Sequence, residues 1–465
     1  MILGTKPLMQ MTCRPVQVCL ALACVAGLAT GCGPRKLPTS QPGSTPSATL
    51  SRTPRPTFTP VPKLTATLMP TITPKEEAPL ADTVLPSATA KPPTATVAPT
   101  QGQATPTPSP APKTPTSRPR PQGRMSSPEY GVQAFLWWRP EVASRDLQMI
   151  REAGFGWCKV NFAWRDIEGA AKGAFDWSRT DRIVEQANQE QIDLVVRVDH
   201  QPSWAGGGFP TNGPPDNLQD LADFLAALAG RYRGRIRAYE VWNEPNLARE
   251  WGGKLPDPGA LVRLLKVGYS AIKAADPAAI VISPGLSPTG SWTESSRPDD
   301  WFLESMYIAM GGKSAGYFDV LGAHGPGYKS PPERDPAEVA ANKDLGGHRA
   351  FCFRRVEDLR AIMVKYGDTD KQVALLEFGW TSDPRPDSSY YWHAVSEEVK
   401  ADYLVRAYRY AKEHWSPWIG LMSTIYICDP DWTEKDEQYW WAITYPSYPE
   451  FKPRPAYLAL KAMPK

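Results

Sequence analysis

The chain has 465 residues, 50 of them proline, and carries 52 basic against 49 acidic side chains for a net charge of +3. Neither feature is evenly spread: residues 33–124 hold 22 prolines, 19 threonines, a single aromatic (Phe58) and 11 basic against 3 acidic residues. Such a stretch cannot bury enough apolar surface to offset its ordering entropy. The part that can fold, residues 125–465, has seven more acidic than basic residues, which argues against a nucleic-acid reader.

In chain order, Lys6 and Arg14 precede an apolar run at 16–28. That run is too short to cross a bilayer, which takes about 20 helical residues, and with its basic flank it reads as the apolar core of a signal peptide. It ends in Leu28-Ala29-Thr30-Gly31-Cys32. This resembles a bacterial lipobox, although the usual leucine three places before the cysteine is here Ala29. The resemblance implies acylation of Cys32 and an extracytoplasmic, membrane-anchored lipoprotein. The alternative is a cleaved, secreted protein. The expected division is a signal peptide at 1–31, a disordered Pro/Thr/Ser-rich linker at 32–126 and a folded domain at 127–465. A proline-stiffened chain would hold that domain away from a membrane that it touches only through lipid.

Cys158, Cys352 and Cys428 remain in the folded part and allow at most one bridge. No CxxC pair and no paired histidine motif marks a metal site, so neither metal nor cofactor is expected. A monomer is expected.

Beyond residue 126 the pattern alternates. Strands are predicted at 132–137, 157–162, 192–198, 236–242, 280–283, 318–323, 373–378 and 422–428. Helices are predicted at 143–153, 179–189, 218–232, 260–275, 354–365, 397–413 and 455–462. Eight strands in this length, each followed by a helix or a long loop, predict an α/β fold, a (β/α)8 TIM barrel, with chemistry at the C-terminal strand ends. A doubly wound sheet is the alternative, but no GxGxxG or phosphate loop follows any strand.

The strand ends carry Trp138, Trp164, Trp204, Asn243-Glu244, His324, Glu377-Phe378-Gly379-Trp380 and Asp429, with Trp432 beyond. Tryptophan faces suit the C–H faces of sugars, although any one tryptophan is as readily core. Two carboxylates on opposite sides of a barrel mouth are the minimal machinery for cleaving a glycosidic bond. Glu377 ends an apolar strand, where an unpaired charge costs several kcal/mol. Glu240 points into the barrel and reads as a structural carboxylate paired with a cation such as Arg197.

Tyr239-Glu240-Val241-Trp242-Asn243-Glu244-Pro245-Asn246 resembles the strand-four signature of clan A glycoside hydrolases, and Leu376-Glu377-Phe378-Gly379-Trp380 resembles their strand-seven motif. The segments Trp164-Arg165-Asp166-Ile167-Glu168, Gly173-Ala174-Phe175-Asp176-Trp177 and Pro202-Ser203-Trp204-Ala205 are similar to bacterial members of families 39 and 5. The resemblance implies a retaining glycosidase acting on the β-linkages of a polysaccharide or oligosaccharide. It makes Glu377 the nucleophile, Glu244 the acid/base and Asn243 the contact to the sugar 2-OH. Glu244 should then have a raised pKa, from burial and from the charge of Glu377. Tyr328 would orient the nucleophile. Trp138, Trp164, Trp204, His324, Trp380 and Trp432 would bind substrate, with Tyr426 the rival of Trp432 after strand eight. A catalytically inactive carbohydrate-binding lipoprotein and a transglycosylase are the alternatives on the same barrel.

Overall fold

The computed structural model describes residues 123–465. The signal peptide at 1–31, the lipidation site Cys32 and the linker as far as residue 122 lie outside the described residues. Eight strands run in parallel: β1 (Glu129–Gln133), β2 (Trp157–Asn161), β3 (Asp193–Val198), β4 (Ala238–Val241), β5 (Ile280–Ile282), β6 (Leu321–His324), β7 (Val373–Phe378) and β8 (Ile419–Thr424). Their order is β5-β4-β3-β2-β1-β8-β7-β6. A parallel bridge between Ile282 and Val320, with the Ser283 N–H donating to the Val320 carbonyl at 3.1 Å, joins the two ends of that sheet. The strands are followed in turn by helices Pro140–Glu152, Ser178–Gln189, Leu218–Arg231, Pro258–Ala275, Asp299–Ala309, Arg355–Lys365, Glu397–His414 and Pro455–Ala462. This is the expected (β/α)8 barrel.

Local chemistry sets the helix starts. Asn217, Asp257 and Ser396 accept from the backbone N–H of Gln219, Ala260 and Val399; such caps are worth about 1 kcal/mol each. Pro140, Pro258 and Pro455 open their helices at positions where the missing N–H is not needed. The helix Asp299–Ala309 was not among those predicted. It buries Phe302, Leu303, Met306 and Tyr307 at helical spacing.

Strands one and eight start earlier than the apolar pattern predicts. β1 ends at Gln133 rather than Trp137, because Ala134, Leu136 and Trp137 pack into the core as a loop after the ladder has ended. The register pairs Gln133 with Lys159 and Glu129 with Leu421.

The barrel interior is layered. Its N-terminal floor is apolar, built from Trp157, Val195, Ala238, Ile280, Val320, Ala374 and Leu421, with Met125 among them. Met125 is held by Gln372, whose Oε1 accepts from its N–H and whose Nε2 donates to its carbonyl, both at 2.9 Å. Met125 thus belongs to the barrel rather than to the linker. Above the floor the inward positions become charged: Lys159 on β2, Arg197 on β3 and Glu240 on β4, with Arg197 and Glu240 in register. Lys159 lies 3.1 Å from Glu240 and 2.8 Å from Glu377. Glu240 therefore pairs with Lys159 where Arg197 was named. Its other oxygen accepts from the Gly285 N–H at 3.2 Å. Cys158, Cys352 and Cys428 are buried and unbridged.

Candidate active site

The charged layer opens onto a cavity of about 550 Å³ at the C-terminal strand ends. Asn243, Glu244, His324, Glu377, Tyr426 and Trp432 are among its lining residues. The turn after β4 delivers two of them through uncommon backbone. Trp242 and Glu244 have φ of 78° and 39°, a region that costs non-glycine residues about 1 kcal/mol or more and that clusters at functional sites. The turn is fastened on both sides. The Trp242 indole N–H donates to the Glu250 carbonyl at 2.8 Å. Buried Asn246 donates to the carbonyls of Ser287 and Arg297 and accepts from the Ser287 N–H. The Glu244 N–H donates to the Gly285 carbonyl at 3.0 Å.

His324 lies between the two glutamates. Its Nδ1 donates to Glu244 Oε1 at 3.0 Å and lies 3.9 Å from Glu377 Oε2. Those two oxygens are therefore at most about 7 Å apart, a bound that includes the roughly 5–5.5 Å separation of a double-displacement pair. Gly285 makes room for this histidine, because a methyl group there would overlap the imidazole ring.

Electrostatics set the two carboxylates apart. Burial pushes Glu377 up, but Lys159, His324 and Arg197 outweigh it and bring the carboxyl down to about 2. Glu244 also meets a burial penalty, which is outweighed by the His324 hydrogen bond and charge and by Arg249, so its pKa falls below the usual carboxylate value. The sequence-based expectation was the reverse. Burial and Glu377 do act upward, but His324 and Arg249 were not foreseen as direct partners of Glu244. Arg249 Nη2 lies 2.8 Å from Glu244 Oε2. A carboxylate fixed in its charged form by buried cations can act as a nucleophile or stabilise a developing positive charge. One with an exposed cationic partner can exchange a proton once that partner moves.

Of the other predicted residues, Asn243 is buried and lines the cavity with its Oδ1 free of hydrogen bonds. Trp432 and Tyr426 both line the cavity, packed edge to face with centroids 5.7 Å apart, and Phe135 joins them. Tyr328 lines it too, but its hydroxyl donates to the Pro288 carbonyl at 3.2 Å and not to Glu377. The groups that orient Glu377 are Lys159 and Arg197. Four tryptophans lie elsewhere. Trp164 is fully buried, stacked on Phe224. Trp380 is fully buried with its N–H on the Ser330 carbonyl. Trp204 gives its N–H to the Glu168 carbonyl and packs edge-on against Trp164. Trp138 is 64% exposed beside Arg179, outside the cavity, because β1 ends five residues before it. Sequence reasoning missed Lys159, Arg249, Glu250, Tyr390 and Glu437. Only Lys159, a lone cation in an apolar strand, left a readable signal.

The family profile described as Cellulase (glycosyl hydrolase family 5) matches residues 120–308, a span that includes Asn243-Glu244 and ends before Glu377. Residues 120–308 are thus similar to that family's profile. Among solved structures the domain is similar to a family 39 glycoside hydrolase from Bacteroides cellulosilyticus WH2, with 21% identity, a TM-score of 0.52 and coverage of 72% of this chain and 63% of that one. The chain thus spans less than two thirds of that protein's length. The domain is also similar to a glucosidase from Croceicoccus marinus, with 14% identity, a TM-score of 0.51 and coverage of 74% and 68%. A third similar structure is GH5_18 from Streptomyces cattleya in complex with GlcNAc, with 16% identity, a TM-score of 0.52 and coverage of 72% and 79%. At these identities the likeness is one of fold. Among curated proteins none matches the chain.

Proposed function

We propose that the protein hydrolyses β-glycosidic bonds of a polysaccharide or oligosaccharide with retention of configuration, through a covalent glycosyl-enzyme. The observation that carries this reading is the pair Glu244 and Glu377, bridged by His324 in one cavity at the barrel mouth. Glu377, kept ionised by Lys159 and Arg197, attacks the anomeric carbon. The carbon–oxygen bond to the leaving group breaks as Glu244 gives that oxygen its proton. Water then attacks the glycosyl ester, giving a proton to Glu244 and freeing Glu377. Asn243, which lines the cavity beside Glu244, is assigned the contact to the sugar 2-OH. Phe135, Tyr426 and Trp432 offer ring faces and edges for the C–H surfaces of the sugar.

The test is release of reducing sugar from a panel of β-glucan, xylan, mannan and aryl β-glycosides. Glu377→Ala should lower turnover by about four orders of magnitude or more, with added azide restoring turnover as a glycosyl azide of inverted configuration. Proton NMR of the first product should show the β-anomer. A first-formed α-anomer would refute the double displacement. The lipobox-like run ending in Cys32 supports anchoring of the enzyme to an extracytoplasmic membrane face through lipid.

A further inference from the structure

Both oxygens of Glu244 already have partners. His324 holds Oε1 at 3.0 Å and Arg249 holds Oε2 at 2.8 Å. A general acid must turn one oxygen toward the leaving-group oxygen, so one partner has to give way. His324 is 2% exposed and wedged against Gly285, with no room to withdraw. Arg249 differs in every respect. Its side chain is 67% exposed, it stands on a three-residue turn (Ala248–Glu250), and a second carboxylate, Glu250, lies 3.7 Å from its Nε.

We propose that Arg249 is a positioning residue that holds Glu244 as a carboxylate until the sugar on the leaving-group side displaces its guanidinium from Oε2. This rests on the assignment of Glu244 as the acid/base. With Arg249 moved aside, Glu244 loses a cationic neighbour and faces the glycosidic oxygen, which can only accept a hydrogen bond, and both changes favour the protonated form needed for the first step. Glu250 is placed to take over the guanidinium. Binding on the leaving-group side is thereby coupled to arming of the acid. The other titratable and charged groups facing Glu244 are His324 from β6, Glu377 from β7, Tyr328 and Tyr390 from the loops that follow those strands, and Glu250 beside Arg249. Tyr426 follows β8, and Glu437 lies on the short helix beyond it.

The test combines two readouts on the full chain. The first is the titration of Glu244 itself, followed by carbon NMR of enzyme labelled at the glutamate carboxyl and assigned with Glu244→Gln. Arg249→Met should move this titration up by about one pH unit, and Arg249→Lys should restore much of it. The second is the alkaline limb of kcat/KM for phenyl β-glycosides, which falls as the acid deprotonates. It should move up by the same amount in Arg249→Met. The move should disappear with 2,4-dinitrophenyl glycosides, whose leaving group departs without a proton. A folded Arg249→Met whose Glu244 titrates as in the wild type overturns the proposal even if the enzyme is an active glycosidase. If no glycoside is hydrolysed, the proposed function fails, and the titration still decides whether Arg249 sets the charge of Glu244.

Discussion

At the scale of single residues, the site depends on one buried cation. Lys159 serves two carboxylates, Glu240 below and Glu377 above, and is 1% exposed. Removing one member of a buried ionic cluster leaves charge without compensation and costs about 3–5 kcal/mol. Lys159→Met is therefore expected to lower the thermal midpoint as well as turnover. The pH dependence follows from the direction of the shift. Glu377 sits at about 2 in the folded protein, well below the 4.5 of an ordinary glutamate carboxyl. A depressed folded value contributes stability that is fully present above the unfolded value and is lost as pH falls through the folded one. Thermal midpoints measured downward from about pH 4.5 should thus drop less steeply in Lys159→Met than in the wild type, and parallel curves would refute this account. Glu244 and Glu377 were legible as candidates in the sequence because each lies at or just beyond the end of an apolar strand inside a distinctive motif. Arg249 was not, since a guanidinium five residues along a loop can turn anywhere until the backbone φ values of Trp242 and Glu244 are known.

At the scale of elements, the strand ends separate tryptophans that serve the site from those that serve the fold. The sequence places Trp164, Trp204 and Trp380 beside strand ends, which is correct, but position along a strand does not say whether a side chain turns inward over the mouth or outward under a helix. Trp164 turns outward onto Phe224, and Trp432 reaches the cavity from a loop beyond β8. The two should therefore fail differently. Trp164→Ala should cost about 3–5 kcal/mol of stability, read by denaturant unfolding. Trp432→Ala should leave the unfolding midpoint within about 0.5 kcal/mol and raise KM on the polysaccharide. Equal unfolding losses would contradict the distinction. The loop after β5 is a second such element. Gly285 touches Glu240 through its N–H, Glu244 through its carbonyl and His324 through the space that it leaves. Gly285→Ala should displace the histidine and lower kcat by at least about tenfold, the loss that follows when a shift of about 1 Å spoils catalytic geometry. Nothing in the local sequence marks this glycine, because its neighbours come from β4 and β6.

At the scale of the whole molecule, the number of strands was readable because eight apolar runs alternate with stretches of helical spacing or long loops over a length that suits one barrel. The ends of β1 and β8 were not, because apolar loops that fill the core continue the strand pattern beyond the hydrogen-bonded ladder. If Cys32 is the point of lipid attachment, Cys32→Ser should move the enzyme from the membrane to the soluble fraction without loss of specific activity, as measured by fractionation and assay on a soluble aryl glycoside. Retention in the membrane fraction would exclude that anchor.

Met125 has a consequence for access. The chain enters the barrel through the floor, where Gln372 clamps Met125, while the glutamates face the opposite rim. Met125 therefore lies at the pole of the barrel far from the cleft. A ligand can reach, slide along and leave the rim without crossing the place where Met125 enters the floor.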